Sequence, residues 1–205
     1  MTAAATDSRT RFLDATLRVV RERGYTGATV DDICAAAGLT RGSFFHHFES
    51  KEALGIAAAE HWSRTTGAFF ASAYYRQLAD PLDRLLGYVD FRRTLLRGAL
   101  AEFTCYAGTT VQETHATHPA LRSAAGRCIT EHADELARDI EAAKRLYAPD
   151  APWTPESLGL HMQAVIQGAF IVAKATGGPE AADACISHLG RYIASLFPRP
   201  SSPKE

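Results

Sequence analysis

The sequence predicts an all-α protein: three short helices in a helix-turn-helix arrangement, followed by a larger six-helix unit. Three observations predict it. Apolar residues recur at helical spacing along most of the chain. Sustained two-residue alternation is absent, as is any Asn-Gly or Asp-Gly turn between β-branched runs. Capping residues, glycines and prolines cut the periodic stretches at short intervals.

The first helix is expected from about Asp7 to Arg23. Phe12, Ala15, Leu17, Val19 and Val20 form its apolar stripe, and Gly24 stops it. In "TVDDICAAAG", Thr29 is a cap, and Asp31 and Asp32 sit in the first turn, where the helix dipole favours anions. Val30, Ile33, Cys34 and Ala37 form the inner face, and Gly38 ends the helix. Thr40 caps a third helix, "RGSFFHHF". Two short helices joined at Gly38-Leu39 and packed on a preceding one have helix-turn-helix spacing.

Six further helices are expected. One begins after Ser50 and continues into "YYRQL"; the next spans about Leu82–Gly98, and another about Ala101–Glu113. Pro119 opens a long helix to about residue 147. "YAPDAPWTPES" is a loop, Thr154-Pro155 starts a helix to Thr176, and the last helix follows "GGPE" and ends near Phe197. The tail, 199–205, reads as disordered.

The chain has 205 residues, 46% of them hydrophobic, enough for a folded core. Its 22 basic and 23 acidic residues leave a net charge of -1, so overall charge points to no polyanionic partner. No signal peptide or membrane-crossing run is evident, and the four cysteines form no CxxC pair. A cytoplasmic protein with reduced thiols is expected.

On a wheel of about 100° per residue, Phe44, Phe45 and Phe48 share one arc. Gly42, Ser43, His46 and His47 take the other side. Phe44 and Phe48 read as core, and Phe45 as an edge position. A face of small residues and hydrogen-bonding rings suits a DNA major groove. Residues 1–50 hold six basic and six acidic residues, so this is not a basic patch. Phosphate contacts would fall to the helix starts at Thr29 and Thr40, and to Arg41 and Lys51.

The stretch "GYTGATVDDICAAAGLTRGSFFHHFESKEAL", residues 24–54, resembles the N-terminal domain of TetR-family transcriptional regulators. Gly24-Tyr25, Thr29-Val30, Ile33, Ala36-Ala37-Gly38, Gly42, His47-Phe48 and Ser50-Lys51-Glu52 carry the resemblance. It implies a helix-turn-helix DNA-binding domain at 1–50 and a helical ligand-binding and dimerisation domain at 51–198. It implies a homodimeric repressor on a palindromic double-stranded DNA operator, released by a small-molecule effector. The family's DNA contacts transfer to Thr29, Thr40, Arg41, Gly42, Ser43, Phe45, His46, His47 and Lys51. Phe45 stands where many members carry tyrosine, and His46 where an aromatic is common.

For the effector, polar candidates are Tyr106, Gln112, His115, Trp153, His161, Gln163 and Gln167. Wall candidates are Trp62, Phe69, Leu86, Phe103 and Phe170, with Cys105 beside them. Ordinary core packing is the competing reading for the aromatics. The sequence neighbours of Cys105 carry no positive charge that would activate its thiol. His115 and His118 form HxxH, but Pro119 follows and no third ligand has diagnostic spacing, so no metal is expected. Nor does any motif require a cofactor. Apolar stripes on the last two helices, Leu158 to Ala173 and Ile186 to Phe197, are expected, mainly on the family resemblance, to form the dimer surface, with burial within one subunit as the competing reading. An all-helical enzyme is the alternative from another class, but HExxH, GxSxG and P-loop patterns are absent. A helical adaptor without DNA function is a third reading.

Overall fold

The structure is a computed structural model that describes residues 7–198; the expected tail at 199–205 lies outside the described residues. Among the described residues there are ten α-helices and one short 3-10 turn, and no strand. They are α1 (Ser8–Arg23), α2 (Val30–Ala37), α3 (Arg41–His47), α4 (Lys51–Ala71), the turn Tyr74–Gln77, α5 (Pro81–Thr94), α6 (Leu100–Phe103), α7 (Tyr106–Thr114), α8 (Pro119–Tyr147), α9 (Pro155–Thr176) and α10 (Glu180–Leu196).

Seven helices therefore follow α3 where six were expected. The helix expected over 101–113 is broken at Thr104-Cys105. Both residues are extended, with φ -79° and -89°, and Thr104 is buried. Neither glycine nor proline marks the break, so tertiary packing sets it. The helix expected to reach Gly98 ends at Thr94, and Gly98 adopts φ +78° beyond it.

Two compact units are present. The first comprises the described residues up to Ala68 together with Ala99–Ile129. Its core runs from Phe12, Val20, Ile33 and Phe44 on to Leu54, Ala58, Tyr106, Ala107 and Leu121. The first three helices thus share one apolar core with α4, α7 and the start of α8. Tyr106 donates its buried hydroxyl to the Gly55 carbonyl at 2.9 Å, and a Cβ on Gly55 would press on Tyr25 and Leu121.

The second unit comprises Phe69–Gly98 with the described residues from Thr130 onward. The apolar stripes expected at a twofold axis are instead this unit's own core. Leu158, Met162, Ile166, Phe170 and Ala173 of α9 are buried within the chain, as are Ile186, Leu189, Ile193 and Phe197 of α10. The reason is local. α9 and α10 pack against each other, and α10 also packs on α5, where Arg93 holds Asp183 through two hydrogen bonds of 2.8 and 3.1 Å. What α9 leaves exposed is a different apolar row, including Leu160, Ile171 and Val172. By length and composition α9 could cross a membrane, and 44% of its apolar window is buried in the chain.

A polar network crosses this unit's interior. Tyr88 accepts hydrogen bonds from Arg92 Nε at 2.9 Å and from Gln163 Nε2 at 3.4 Å. Its own proton therefore goes to His132 Nε2, 3.0 Å away, which requires a neutral ring with the proton on Nδ1, toward Glu135. Burial lowers the His132 pKa, outweighing the hydrogen bond to Glu135 that raises it. A depressed histidine contributes stability that is full above its ordinary value of 6.5 and is lost as pH falls through the lowered folded value. Below pH 6.5 the thermal midpoint of the wild type is therefore expected to fall more steeply than that of His132→Gln. Equal slopes in melts across pH 4.5–8, about the titration range of histidine and below, would contradict this role.

Candidate nucleic-acid interface

The candidate surface is the outward side of α2 and α3. Thr29 caps α2. Its hydroxyl accepts from the Asp32 amide, and the Asp32 carboxylate in turn accepts from the Thr29 amide at 3.0 Å and hydroxyl at 2.6 Å. These hydrogen bonds, first among the causes, hold the Asp32 carboxyl below its ordinary pKa. Gly38 ends α2 at φ +63°, ψ 39°, a conformation in which an L side chain is strained. Thr40 then caps α3 by accepting from the Ser43 amide at 3.2 Å.

The terminal carbonyls of α2 receive arginines from α1. Arg11 donates to Ala37 and Gly38, and Arg18 to Ala36. Cations at a helix C-terminus satisfy orphan acceptors and complement the dipole. These arginines belong to the turn, a role that sequence spacing did not reveal. At the other end of α2, Glu113 of α7 accepts from the Thr26 amide at 2.7 Å and lies against Gly24, where φ is +81°. That contact spans 87 positions and also had no local signal.

α3 is fixed by rings. Phe12 meets Phe44 at 5.8 Å and Phe48 at 6.1 Å, both edge to face, and all three are buried. The helical wheel is only partly followed. Phe48 leaves the helix at the C-cap, with φ -141° and ψ 128°, so its wheel position does not apply. The buried direction centres on Phe44. Phe45 consequently stands 55% exposed, and His47 turns half inward. His47 Nε2 lies 2.7 Å from the Ser8 hydroxyl, and its ring meets Phe12.

The outward side of α3 thus presents Arg41, Gly42, Phe45 and His46, with Ser43 half-buried between them. Arg41 is not idle. Its guanidinium sits 3.0 Å from both Asp31 oxygens and 5.9 Å from the centre of the Phe45 ring. Arg41 and Asp31 are each more than half exposed, so the pair contributes at most about 1 kcal/mol and can open at little cost. Lys51, half-buried, holds its ammonium 4.4 Å over the Tyr25 ring, and burial lowers its pKa.

Residues 12–58 match the bacterial regulatory proteins of the tetR family. Residues 81–189, more than half of the chain, match the tetracyclin repressor-like C-terminal domain. The chain belongs to the TetR family.

Among TetR-family relatives, the chain is 36% identical over 85 residues to the HTH-type transcriptional repressor DhaR of Mycobacterium sp. (strain GP1). The match covers 42% of this chain and 43% of that protein. It is 32% identical over 98 residues to the repressor NemR of Escherichia coli, covering 43% of this chain and 44% of NemR. The chain therefore spans less than half the length of these curated relatives. Solved structures give the same fold across nearly the whole chain. A TetR regulatory protein from Rhodobacter sphaeroides has a TM-score of 0.81 at 23% identity, covering 93% of this chain and 99% of its own. The reduced form of E. coli NemR has a TM-score of 0.80 at 20% identity, covering 96% and 100%.

The effector candidates of this TetR-family chain fall into both units. In the first, Trp62 and Tyr106 have ring centres 6.4 Å apart, and Arg21 lies over Trp62 at 5.2 Å. Cys105 caps α7 by accepting from the Gly108 amide at 3.3 Å, and Phe103 is buried. Burial lowers the Arg21 pKa, while Cys105, Glu102 and Glu22 pull it back up. Gln112 bonds its own helix at Gly108, and His115 is exposed beside it. In the second unit, Gln163 joins the Tyr88 network, and Trp153 packs on Phe197 at 5.2 Å. There Phe170 is buried, Leu86 and Gln167 are half-buried, Phe69 is exposed against Phe91, and His161 is exposed against Tyr192. Among the described residues no group of three or more His, Cys, Asp and Glu side chains is placed to hold a metal.

Proposed function

We propose that this TetR-family protein is a homodimeric transcriptional repressor that binds a palindromic DNA operator and responds to a small-molecule effector. The observation that carries the reading is α3. A short helix is pinned from behind by Phe44 and Phe48 and presents Arg41, Gly42, Phe45 and His46 outward. Such a helix can enter a major groove, with small residues permitting approach and arginine donating to guanine. The names of DhaR and NemR as transcriptional repressors support the direction of control. The cap position Thr40 offers its hydroxyl proton to a phosphate, whereas the amide and hydroxyl of Thr29 reach one only on leaving Asp32. His47 is assigned a mixed role, carrying α3 on Ser8 and Phe12 while its edge reaches the backbone of the duplex. Lys51 reaches phosphate from over Tyr25.

The remaining residues, 51–198, are proposed to serve effector binding and dimerisation, in a cytoplasmic protein that works by binding rather than catalysis. With the inner stripes of α9 and α10 used up in the subunit core, the twofold contact is assigned to their exposed rows. Leu160, Gly168 and Ile171 of α9 and Tyr192 of α10 lie there, and a Cβ on Gly168 would meet nothing within 4 Å. The double variant Ile171→Glu/Tyr192→Glu is expected to sediment as a folded monomer. A dimer that survives both changes would move the interface elsewhere.

Selection from a random duplex library tests the DNA reading. The expected product is a palindrome with half-sites about one helical turn apart or a multiple of it, bound less tightly as salt rises. Recovery of no enriched duplex, with or without cell extract metabolites, would favour an adaptor or an enzyme instead.

A further inference from the structure

We infer that Phe45 is a specificity-determining residue that reads the 5-methyl group of a thymine in each half-site. This rests on the DNA-binding reading of α3 and adds the chemistry of one base.

Phe45 is the most apolar group on a face otherwise made of Arg41, Gly42, Ser43 and His46, and its ring is 55% exposed. The ring is held in place. Its edge-to-face contact with buried Phe44, at 5.0 Å and 87°, fixes it from behind, and the Arg41 guanidinium lies 5.9 Å from its centre. The ground beside it is low, since Gly42 has no side chain and a Cβ there would touch only the Thr40 hydroxyl at 3.7 Å. A phenyl ring offers nothing to a phosphate oxygen. The major groove offers it one apolar group in unmethylated DNA, the thymine methyl. The other groups on the base edges there are hydrogen-bond donors and acceptors, which a phenyl ring would leave unpaired.

Arg41 and Phe45 are four residues apart on one helix, so their side chains meet on one face, separated by about 6 Å along the axis. That distance is roughly two base-pair steps of the duplex. The pair therefore reads a guanine, through Arg41, and a thymine within two steps of it, through Phe45. Leaving Asp31 frees Arg41 for the guanine.

The test uses the full chain and the duplex that it selects from a random library. Each thymine is replaced in turn by deoxyuridine, which removes only the methyl. Wild-type protein is expected to lose about fourfold in affinity per half-site at one thymine position, the loss appropriate to one buried methyl. Phe45→Ala is expected to bind both duplexes more weakly and equally, whereas Phe45→Leu, which keeps an apolar side chain, retains part of the discrimination. Thermal melts check that both variants remain folded. The wild-type measurement stands alone if they do not. An unchanged wild-type affinity at every deoxyuridine position overturns this inference and leaves the DNA reading intact, as does equal discrimination by Phe45→Ala. Failure to select any duplex overturns the DNA reading and this inference with it.

Discussion

Phe44→Ala is expected to lower the stability of the N-terminal unit by about 3–5 kcal/mol and to abolish operator binding. Phe44 is fully buried and touches Phe12, Phe45 and Phe48 through its ring. Its removal leaves a cavity that the short helix α3 cannot close, because α3 has few other buried anchors. The same core continues into Leu54, Ala58 and Tyr106, so the loss is felt beyond the first three helices. Chemical unfolding followed by circular dichroism measures it. A loss below about 1 kcal/mol, the level of an ordinary surface substitution or less than a core one, would show that Phe44 does not anchor the helix.

Arg41→Ala is expected to reduce operator affinity by about 10- to 100-fold per half-site, the value of one bidentate arginine–guanine contact. It should leave the thermal midpoint nearly unchanged. Its ion pair with Asp31 is exposed and contributes little. His47→Ala should behave differently. Its ring bonds Ser8 and packs on Phe12, so both affinity and stability are expected to fall. Fluorescence anisotropy on the selected duplex, paired with melts, separates the two patterns. Equal binding by Arg41→Ala and the parent would remove α3 as the reading helix.

Much of the first unit was legible because its signals are local. Thr29 and Thr40 cap helices where spacing placed them, as Thr154 does in the second unit, and Gly38 takes the left-handed conformation that ends α2. Phe44 is buried as the wheel required, and Phe48 is buried too, though from an extended C-cap position. The exposure of Phe45 fits its edge position on the wheel, whereas the inward turn of His47 was not legible. A wheel assumes that every residue stays helical, and Phe48 does not. The break at Thr104-Cys105 carries no glycine or proline, so only packing reveals it. The stripes of α9 and α10 were read correctly as apolar, but sequence cannot say whether an apolar face meets its own chain or another copy. Contacts between distant positions, such as Arg11 with Ala37 and Glu113 with Thr26, had no pattern to betray them. The effector candidates were drawn from one pool of polar and aromatic residues, yet they divide between two units.

The central claim is that the outward side of α3 meets duplex DNA in two symmetric copies. Hydroxyl-radical footprinting of the selected duplex with the parent and with Arg41→Ala tests it most directly. The expected footprint is two protected patches related by a dyad, both lost in Arg41→Ala at a concentration that saturates the parent. Protection of a single patch, or a footprint unchanged by Arg41→Ala, would contradict it.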